Sequence, residues 1–416
     1  MEMRVRAAAH QMGAKILQEL LQAPGKFARE RPCRCGQNAC FQEMRPRMLL
    51  TAVGSVRFQR PYYLCSSCHQ GQSPRDVELD VLHTEYSPGV RRMMALVGSN
   101  SSFAQGREQL EALAGLKITT KAVERQSEAI GSDIAAAERA EREQALQLEL
   151  PTVSGPQIPV LYIEMDGTGV PMVTAEVRER IGKIAGERAR TREAKLGCVF
   201  TQTRLDGKRR PVRDEASTTY TGAIETAEEF GLRLCQEAWQ RGWSRAQRKV
   251  VLGDGAPWIW NLADEHFPGA TQIVDLYHAR QHLWELATKL YATDAARRKA
   301  CASRLQRKLD AGRIESLVAE LQKFPTADRH VEEQIRIEAD YFGRNAHRMR
   351  YPSFKKQRLF IGSGVIEAGC KTIIGSRLKQ SGMFWTLRGA NAILALRANR
   401  LSGRFEQYWE NRARAA

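Results

Sequence analysis

Two apolar runs in this 416-residue chain end alike, in an aspartate followed by glycine. Pro159–Asp166 reads PVLYIEMD and continues Gly-Thr-Gly-Val-Pro, and Val250–Asp254 reads VVLGD and continues Gly-Ala-Pro. Each reads as a short buried strand, and the period of two places Val160, Tyr162, Glu164 and Asp166 on one face, with Asp166 at an exposed strand end before a Gly-rich turn. A single aspartate so placed is more often a turn or helix cap. The repetition changes its weight, because two strand-end carboxylates in one sheet can jointly bind hard divalent cations. Two such ions about 3.5–4 Å apart can activate an attacking oxygen and stabilise a leaving one in phosphoryl transfer.

A third acid is then expected, and GSGVIEAGC supplies Glu367, the only acidic residue between Tyr341 and Phe405. It lies in the most basic stretch of the chain. Tyr341–Ala416 holds 15 Lys/Arg against 3 acids, a net +12 of the formal +17. Such a concentration reads as a footprint for a polyanion, foremost nucleic acid, the alternative being a basic face kept for solubility. An acid among those cations is either a neutralised structural partner or a metal ligand beside a phosphate-binding surface, and the ligand reading is preferred here. Asp275, His278 and His282 follow the apolar run Thr271–Val274 and share one helical face. A second zinc site is conceivable there, although a hydrogen-bonded helix start is the commoner use of such residues.

Hydrophobic residues make up 43% of the chain, enough for a core, which excludes global disorder. No apolar run approaches the roughly 18 residues that span a bilayer. The first residues, MEMRVRAAAHQMGAKILQELLQ, read as an amphipathic helix without the apolar centre of a secretory leader. A cytoplasmic protein is expected, and nine cysteines, an odd number, argue against a disulfide framework. Five of them cluster early. Cys33, Cys35 and Cys40 precede a β-rich stretch and Cys65-x2-Cys68 follows it, so four thiolates could hold a structural Zn²⁺ at the ends of a β-ribbon, with Gly36 and Gly71 suiting the knuckle turns. Cys33, Cys35, Cys65 and Cys68 are the expected ligands, with Cys40 a competitor for a place in the first half.

Residues 87–150 read as helical. Within them Phe103–Ala114, a turn over Gly115–Ile118 and a second helix over Thr119–Gly131 suggest a helix-turn-helix presenting Lys121 and Arg125 to DNA, a plain helical hairpin being equally compatible. Leu148–Pro159 reads as a linker, Gly222–Gly242 as an amphipathic helix, and Arg178–Lys195 as an exposed, charged loop. Residues 276–345 carry no strand signal and read as an all-helical insertion, followed by a basic loop, helical segments and a ragged basic tail. Strands alternating with helices from residue 155 onward imply an α/β layer. The expected organisation is 1–86 (N-terminal helix and cysteine region), 87–150 (DNA binding or oligomerisation) and 155–416 (catalytic).

Taken together, YIEMDGTGVP, VVLGDGAPWIW, DLYHARQH and GSGVIEAGCK make the chain resemble bacterial insertion-sequence DDE transposases, most closely the ISKra-type group related to the Mutator transposases. The resemblance covers nearly the whole length, including the cysteine-rich start and SPGVRRMMALVG. It implies an RNase H-like catalytic fold interrupted by the helical insertion, with Asp166, Asp254 and Glu367 holding two Mg²⁺ (or Mn²⁺) ions for strand cleavage and strand transfer. It gives Asp275 and His278 an accessory role. The implied partners are double-stranded DNA (the element's terminal inverted repeats and a target) and further copies of the chain, with no membrane and with nucleoid association when bound. Arg377 and Lys379 are expected at the DNA, and Trp385 stacked on an unpaired base. Cys33-x-Cys35 departs from the more usual Cys-x2-Cys. Two rival readings are a DNA-binding relic that has lost catalysis and an RNase H-like nuclease that cuts without joining.

Overall fold

The computed structural model describes residues 1–22, 27–147, 154–181, 189–326 and 328–415, so part of the proposed linker and part of the charged loop lie outside the described residues. The chain folds as two compact units, Met1–Asp133 with Arg404–Ala416, and Ile134–Gly403. The cysteine region and the first helices therefore form one unit with the last helix, Phe405–Ala415, where a ragged tail was expected.

The first unit opens with α1 (Glu2–Gln22) and a four-stranded antiparallel sheet of β1 (Glu30–Pro32), β2 (Asn38–Thr51), β3 (Gly54–Cys65) and β4 (Gly71–Gln72), in that order. β2 and β3 form one long hairpin whose turn needs Gly54 at φ +116°. After α2 (Pro74–Glu78), α3 (Pro88–Asn100) starts on Ser87, whose hydroxyl accepts from the Val90 N–H. α4 (Phe103–Gln109) runs into a π-helical turn, Leu110–Ala114, that ends on Gly115 in the left-handed region. Thr119 then caps α5 (Thr120–Gln147), which is twice as long as the sequence suggested. Val90, Met94, Leu110, Leu116, Ile118 and Val123 close a core between these helices. Arg412 of the last helix anchors to Asp80 (2.6 Å) and Asp133 (2.8 Å).

The second unit is built on a five-stranded mixed sheet. β5 (Ile158–Pro171) is central and fully buried along much of its length. After α6 (Thr174–Val177), β6 (Thr191–Gln202) returns antiparallel to it. A small hairpin of β7 (Arg204–Leu205) and β8 (Pro211–Val212) follows, and β9 (Thr219–Ala223) extends the sheet antiparallel to β6. α7 (Ala227–Gln240), with a complete capping box at Thr226 and Glu229, leads to β10 (Ala246–Gly253) on the other side of β5. α8 (Pro257–His266) leads to β11 (Thr271–Val274), and both late strands are parallel to β5. The order is β11-β10-β5-β6-β9.

From β11 the chain is helical throughout its described part: α9 (Leu276–Leu290), α10 (Ala295–Asp310), α11 (Ile314–Gln322), α12 (Arg329–Arg344) and α13 (Tyr351–Lys356). Then come α14 (Gly364–Gly369), a π-helical turn over Cys370–Gly375, α15 (Ser376–Leu378) and α16 (Leu387–Leu401). Arg397, buried on α16, donates to the Ile373 and Thr372 carbonyls and so satisfies the wide turn's free acceptors.

Three expectations change. Asp166 is not at a strand end, because β5 continues to Pro171, paired with Arg192 and Thr191. The glycines after it make no turn; they let side chains of β6 cross close by, since a Cβ on Gly167 would lie 2.6 Å from Glu193 Oε1. Thr191–Lys195, assigned to an exposed loop, is the start of β6, with Ala194 and Lys195 buried. Thr219–Ala223 is a strand that ends before the helix expected from Gly222 begins.

Gly222 shows how tightly this sheet is built, because a Cβ there would lie 2.6 Å from the Lys195 backbone oxygen of the neighbouring strand. Gly222→Ala is expected to lower the unfolding free energy by about 1–3 kcal/mol, as overpacking does. Gly207→Ala at the β7–β8 tip, where nothing lies within 4 Å, is expected to leave it unchanged. Denaturant unfolding of the two variants checks this.

Candidate functional site

The parallel register of β5 and β10 pairs Leu252 with Glu164. Carried two residues further, it sets Asp254 beside Asp166 on adjacent strands, about 4.8 Å apart in backbone spacing. Asp254 ends its strand in an Asx turn, Oδ1 accepting from the Ala256 N–H at 2.9 Å. Gly255 takes φ +101° there, and a Cβ on it would lie 2.6 Å from the Tyr341 ring. The Tyr341 hydroxyl donates to the Asp254 carbonyl at 2.9 Å.

Glu367 comes from α14, and a fourth acid links that helix to the sheet. Glu164, two residues before Asp166 and fully buried, accepts the Ile366 N–H on Oε2 at 2.8 Å, while its Oε1 has no hydrogen-bond partner among the described residues. Burial pushes its carboxyl up to about 8 against the pull of that N–H, with the charges of Asp275 and Glu367 adding to the rise. The Asp166 carboxyl is also raised, first by burial, then against hydrogen bonds from Cys370 and the Gly167 N–H, by the charges of Asp254 and Glu367. Asp166, Asp254 and Glu367 are thus electrostatic neighbours, and none forms an ion pair among the described residues. Their oxygens do not converge on one point, as metal-ligand atoms would around a single ion.

Asp275 is buried with every hydrogen-bonding atom engaged. Oδ1 accepts from the Tyr277 and His278 N–H groups at the start of α9, and Oδ2 accepts from the Ser363 N–H and hydroxyl. Its own N–H donates to the Gly253 carbonyl at 2.8 Å. It therefore positions other groups and has nothing left to offer a ligand. Ser363 in turn reaches Glu367 Oε1 at 3.4 Å.

His278 and His282 face one another with Nε2 atoms 3.2 Å apart, and His282 Nδ1 lies 2.9 Å from Glu338 Oε2. A carboxylate only accepts, so Nδ1 of His282 donates; with one proton on each ring, His282 Nε2 then accepts from His278 Nε2–H. His282 also stacks on Tyr341, with centroids 4.2 Å apart. Glu338 and Tyr341 escaped sequence reasoning because they come from α12, more than fifty residues on. Glu164 was legible, as an acid in an otherwise apolar strand.

The surface residues expected at DNA divide. Lys121 and Arg125 are exposed at the start of α5, Lys121 paired with Glu124. Lys379 is exposed and donates to Thr168. Arg377 and Trp385 are corrections: both are buried, the guanidinium 5.0 Å from the indole centroid. Trp385 is held there by three backbone bonds: its N–H donates to Pro171 O, its O accepts from the Val173 N–H, and its Nε1–H donates to Leu378 O. It closes the end of β5 and presents no face to a base.

In the first unit the thiols of Cys33, Cys35, Cys65 and Cys68 lie within 4.8 Å of one another, with Cys33–Cys68 at 3.5 Å and Cys35–Cys65 at 3.6 Å. A tetrahedron with bonds of about 2.3 Å has edges near ~3.8 Å, so the four could hold zinc. The first knuckle closes through Gly36 N–H to Cys33 O with Gly36 at φ +85°. In the second, N–H groups of Cys68 and Ser67 pull the Cys65 thiol down to about 6. Gly71 serves differently from expectation, leaving room for the Tyr62 ring. Cys40 is exposed, outside the cluster, and is not the substitute ligand.

The model of the uncharacterised protein family UPF0236 matches residues 1–413. The chain belongs to this family. No curated protein matches it. Among solved structures, this UPF0236 chain is similar to the Drosophila P element transposase strand transfer complex at 9% identity and a TM-score of 0.26, over 81% of this chain and 84% of that one. No described helix is long and apolar enough to cross a membrane.

Two outcomes follow. Elemental analysis is expected to find one zinc per chain in the wild type and in Cys40→Ser, and to find it lost in Cys65→Ser. Glu164 stays neutral in the folded chain to about pH 8 but ionises near its ordinary 4.5 when unfolded. Its contribution is therefore complete below pH 4.5 and is lost as pH rises toward 8. Glu164→Gln, which cannot ionise, should gain stability on the wild type across that window by up to about 1.4 kcal/mol per pH unit. Urea unfolding at pH 5 and pH 8 measures the difference.

Proposed function

We propose that this protein is a DNA transposase of the DDE type, cutting the ends of an insertion sequence and joining them to a target. The observation that carries the reading is the set Asp166, Asp254 and Glu367: three acids contributed by two adjacent parallel strands and a helix bonded to the same sheet, none of them in an ion pair among the described residues. Three neighbouring, mutually repelling carboxylates fit divalent cations, which prefer oxygen ligands. Asp166, Asp254 and Glu367 would hold Mg²⁺ or Mn²⁺, which when bound activates an oxygen nucleophile and stabilises the leaving oxygen. Their failure to meet at one point suits two ions better than one.

The remaining residues keep that set in place. Glu164 ties α14 to β5, Asp275 joins the end of β10 to α9 and to Ser363, and Tyr341 braces the Asp254 carbonyl. The RNase H-like reading draws support from the sheet, in which a central first strand has an antiparallel pair on one side and a parallel pair on the other. The ISKra-type assignment rests on the ordered motifs. Duplex DNA is the proposed partner, met in part by Lys121, Arg125 and Lys379. The zinc-holding ribbon is proposed as structural, and an oligomer would let two element ends be held at once.

The test is a cleavage and joining assay on labelled duplex carrying the repeats that flank the gene, with Mg²⁺ or with EDTA. Nicked and joined products are expected with metal only, and Asp254→Ala should reduce both to background while still binding the duplex. Undiminished cleavage by that variant would overturn the mechanism. Metal-dependent nicking without joined product would favour the nuclease, and binding without either product the relic.

A further inference from the structure

A cavity of about 910 Å³ opens beside Glu367 in the second unit. That volume suits a ligand of drug size, the scale of a nucleotide. One wall is the tip of the β7–β8 hairpin. There Asp206 accepts the Lys208 and Arg210 N–H groups at 2.9 and 2.8 Å and pairs with the Arg210 guanidinium, which neutralises it. Arg209 is left without an ion pair among the described residues, as are Lys355 and Arg358 across the cavity. Arg209 and Arg358 both have left-handed backbones, φ +59° and +61°. That conformation is uncommon for arginine, and such strain tends to gather at binding sites.

The same cavity holds an exposed aromatic ring. Tyr277 is 63% exposed although it lies in the first turn of α9, where Asp275 fixes its backbone. Its ring approaches Gly362 so closely that a Cβ there would lie 2.8 Å from Cε2. Below it the Phe360 N–H donates to the Tyr162 hydroxyl at 3.2 Å, which in turn donates to Gln202, so the floor is bonded to the central strand. Unpaired cations around an exposed ring are what single-stranded nucleic acid uses: phosphates for the cations and a base face for the ring. A duplex offers its phosphates and base edges but no free base face.

We propose that this cavity binds an unpaired stretch of the DNA strand next to the cut, with one base stacked on Tyr277 and the backbone phosphates on Arg209, Lys355 and Arg358. This rests on the transposase reading and adds to it a strand-separated substrate held beside Glu367.

The experiment compares a fully paired duplex with the same duplex carrying a short single-stranded extension labelled with 2-aminopurine, using the full chain and fluorescence for both affinity and stacking. The extension should tighten binding and its fluorescence should be quenched. Tyr277→Leu should lose roughly tenfold in affinity for the extended DNA, the usual scale for one stacked base, with duplex binding unchanged. Tyr277→Phe, which keeps the ring, should behave as wild type and guards against a folding defect. Arg209→Ser with Lys355→Ser should flatten the salt dependence of single-strand binding by about 1.4 in slope, or about 0.7 for each phosphate contact. Equal affinity for both DNAs, or a Tyr277→Leu variant equal to wild type, overturns the cavity's role while Asp254-dependent cleavage still stands. Preference for an RNA strand over the DNA extension overturns it as well. Binding to neither DNA, with no cleavage, brings down both readings.

Discussion

The candidate site depends on one buried carboxylate, Asp275. It accepts from two backbone N–H groups at the start of α9 and from the Ser363 N–H and hydroxyl, and its own N–H bonds the Gly253 carbonyl. Three pieces of chain meet on it: the end of the strand before Asp254, the start of the helical insertion, and the loop leading into Glu367. A buried charge is tolerable only when its hydrogen-bonding capacity is filled. Asp275 meets that condition only if all three pieces are in register. Assembly of the site is thereby tied to the folding of an insertion that supplies none of the three proposed metal ligands.

The site also gathers more negative charge than a folded chain would accept without compensation. Glu164 and Asp275 are wholly buried, and Asp254 and Glu367 stand close enough to Asp166 to add to the rise in its proton affinity. The two buried acids are handled differently. Asp275 is hydrogen-bonded on both oxygens, whereas Glu164 has one bonded oxygen and one bare one, and favours the neutral form. None of the three outer acids forms an ion pair with a lysine or arginine among the described residues, although the surrounding sequence is rich in both. Such a gathering of acids is the kind of arrangement found at functional sites.

Much of the sheet was legible in the sequence, because β10 and β11 are apolar runs bounded by glycine or charge, and the acids stand out by residue type. What was lost depended on contacts distant in sequence. Gly167 and Gly169 resemble a turn locally, and only the strand crossing at Glu193 and Thr191 explains them as spacers. β9 is five residues long and contains Gly222, which lacks a side chain because the Lys195 carbonyl occupies its place. Trp385 in MFWT looks like a surface aromatic until Pro171, Val173 and Leu378 are seen to bond it from all sides. The thiols of Cys33, Cys35, Cys65 and Cys68 are brought into one cluster that could hold zinc, and Cys40, exposed on β2, lies outside it.

Net charge along a sequence sets only an upper limit on the field a surface presents. Of the basic residues after Tyr341, Arg350 is paired with Glu315, Arg412 with Asp80 and Asp133, and Arg348 is bonded to Gln272 and Asn345. Arg377 and Arg397 are buried, the latter bonded to helix carbonyls. These cations hold the fold together and cannot attract a polyanion. Lys355 and Arg358 are among those that form no ion pair among the described residues, and with Arg209 from a distant hairpin they line a cavity that ends at Glu367. A phosphate approaching three carboxylates is repelled unless countercharge lies within about a Debye length, roughly 8–10 Å in physiological salt. In the proposed mechanism divalent ions would supply it at the acids themselves, and Arg209, Lys355 and Arg358 would supply it on the approach.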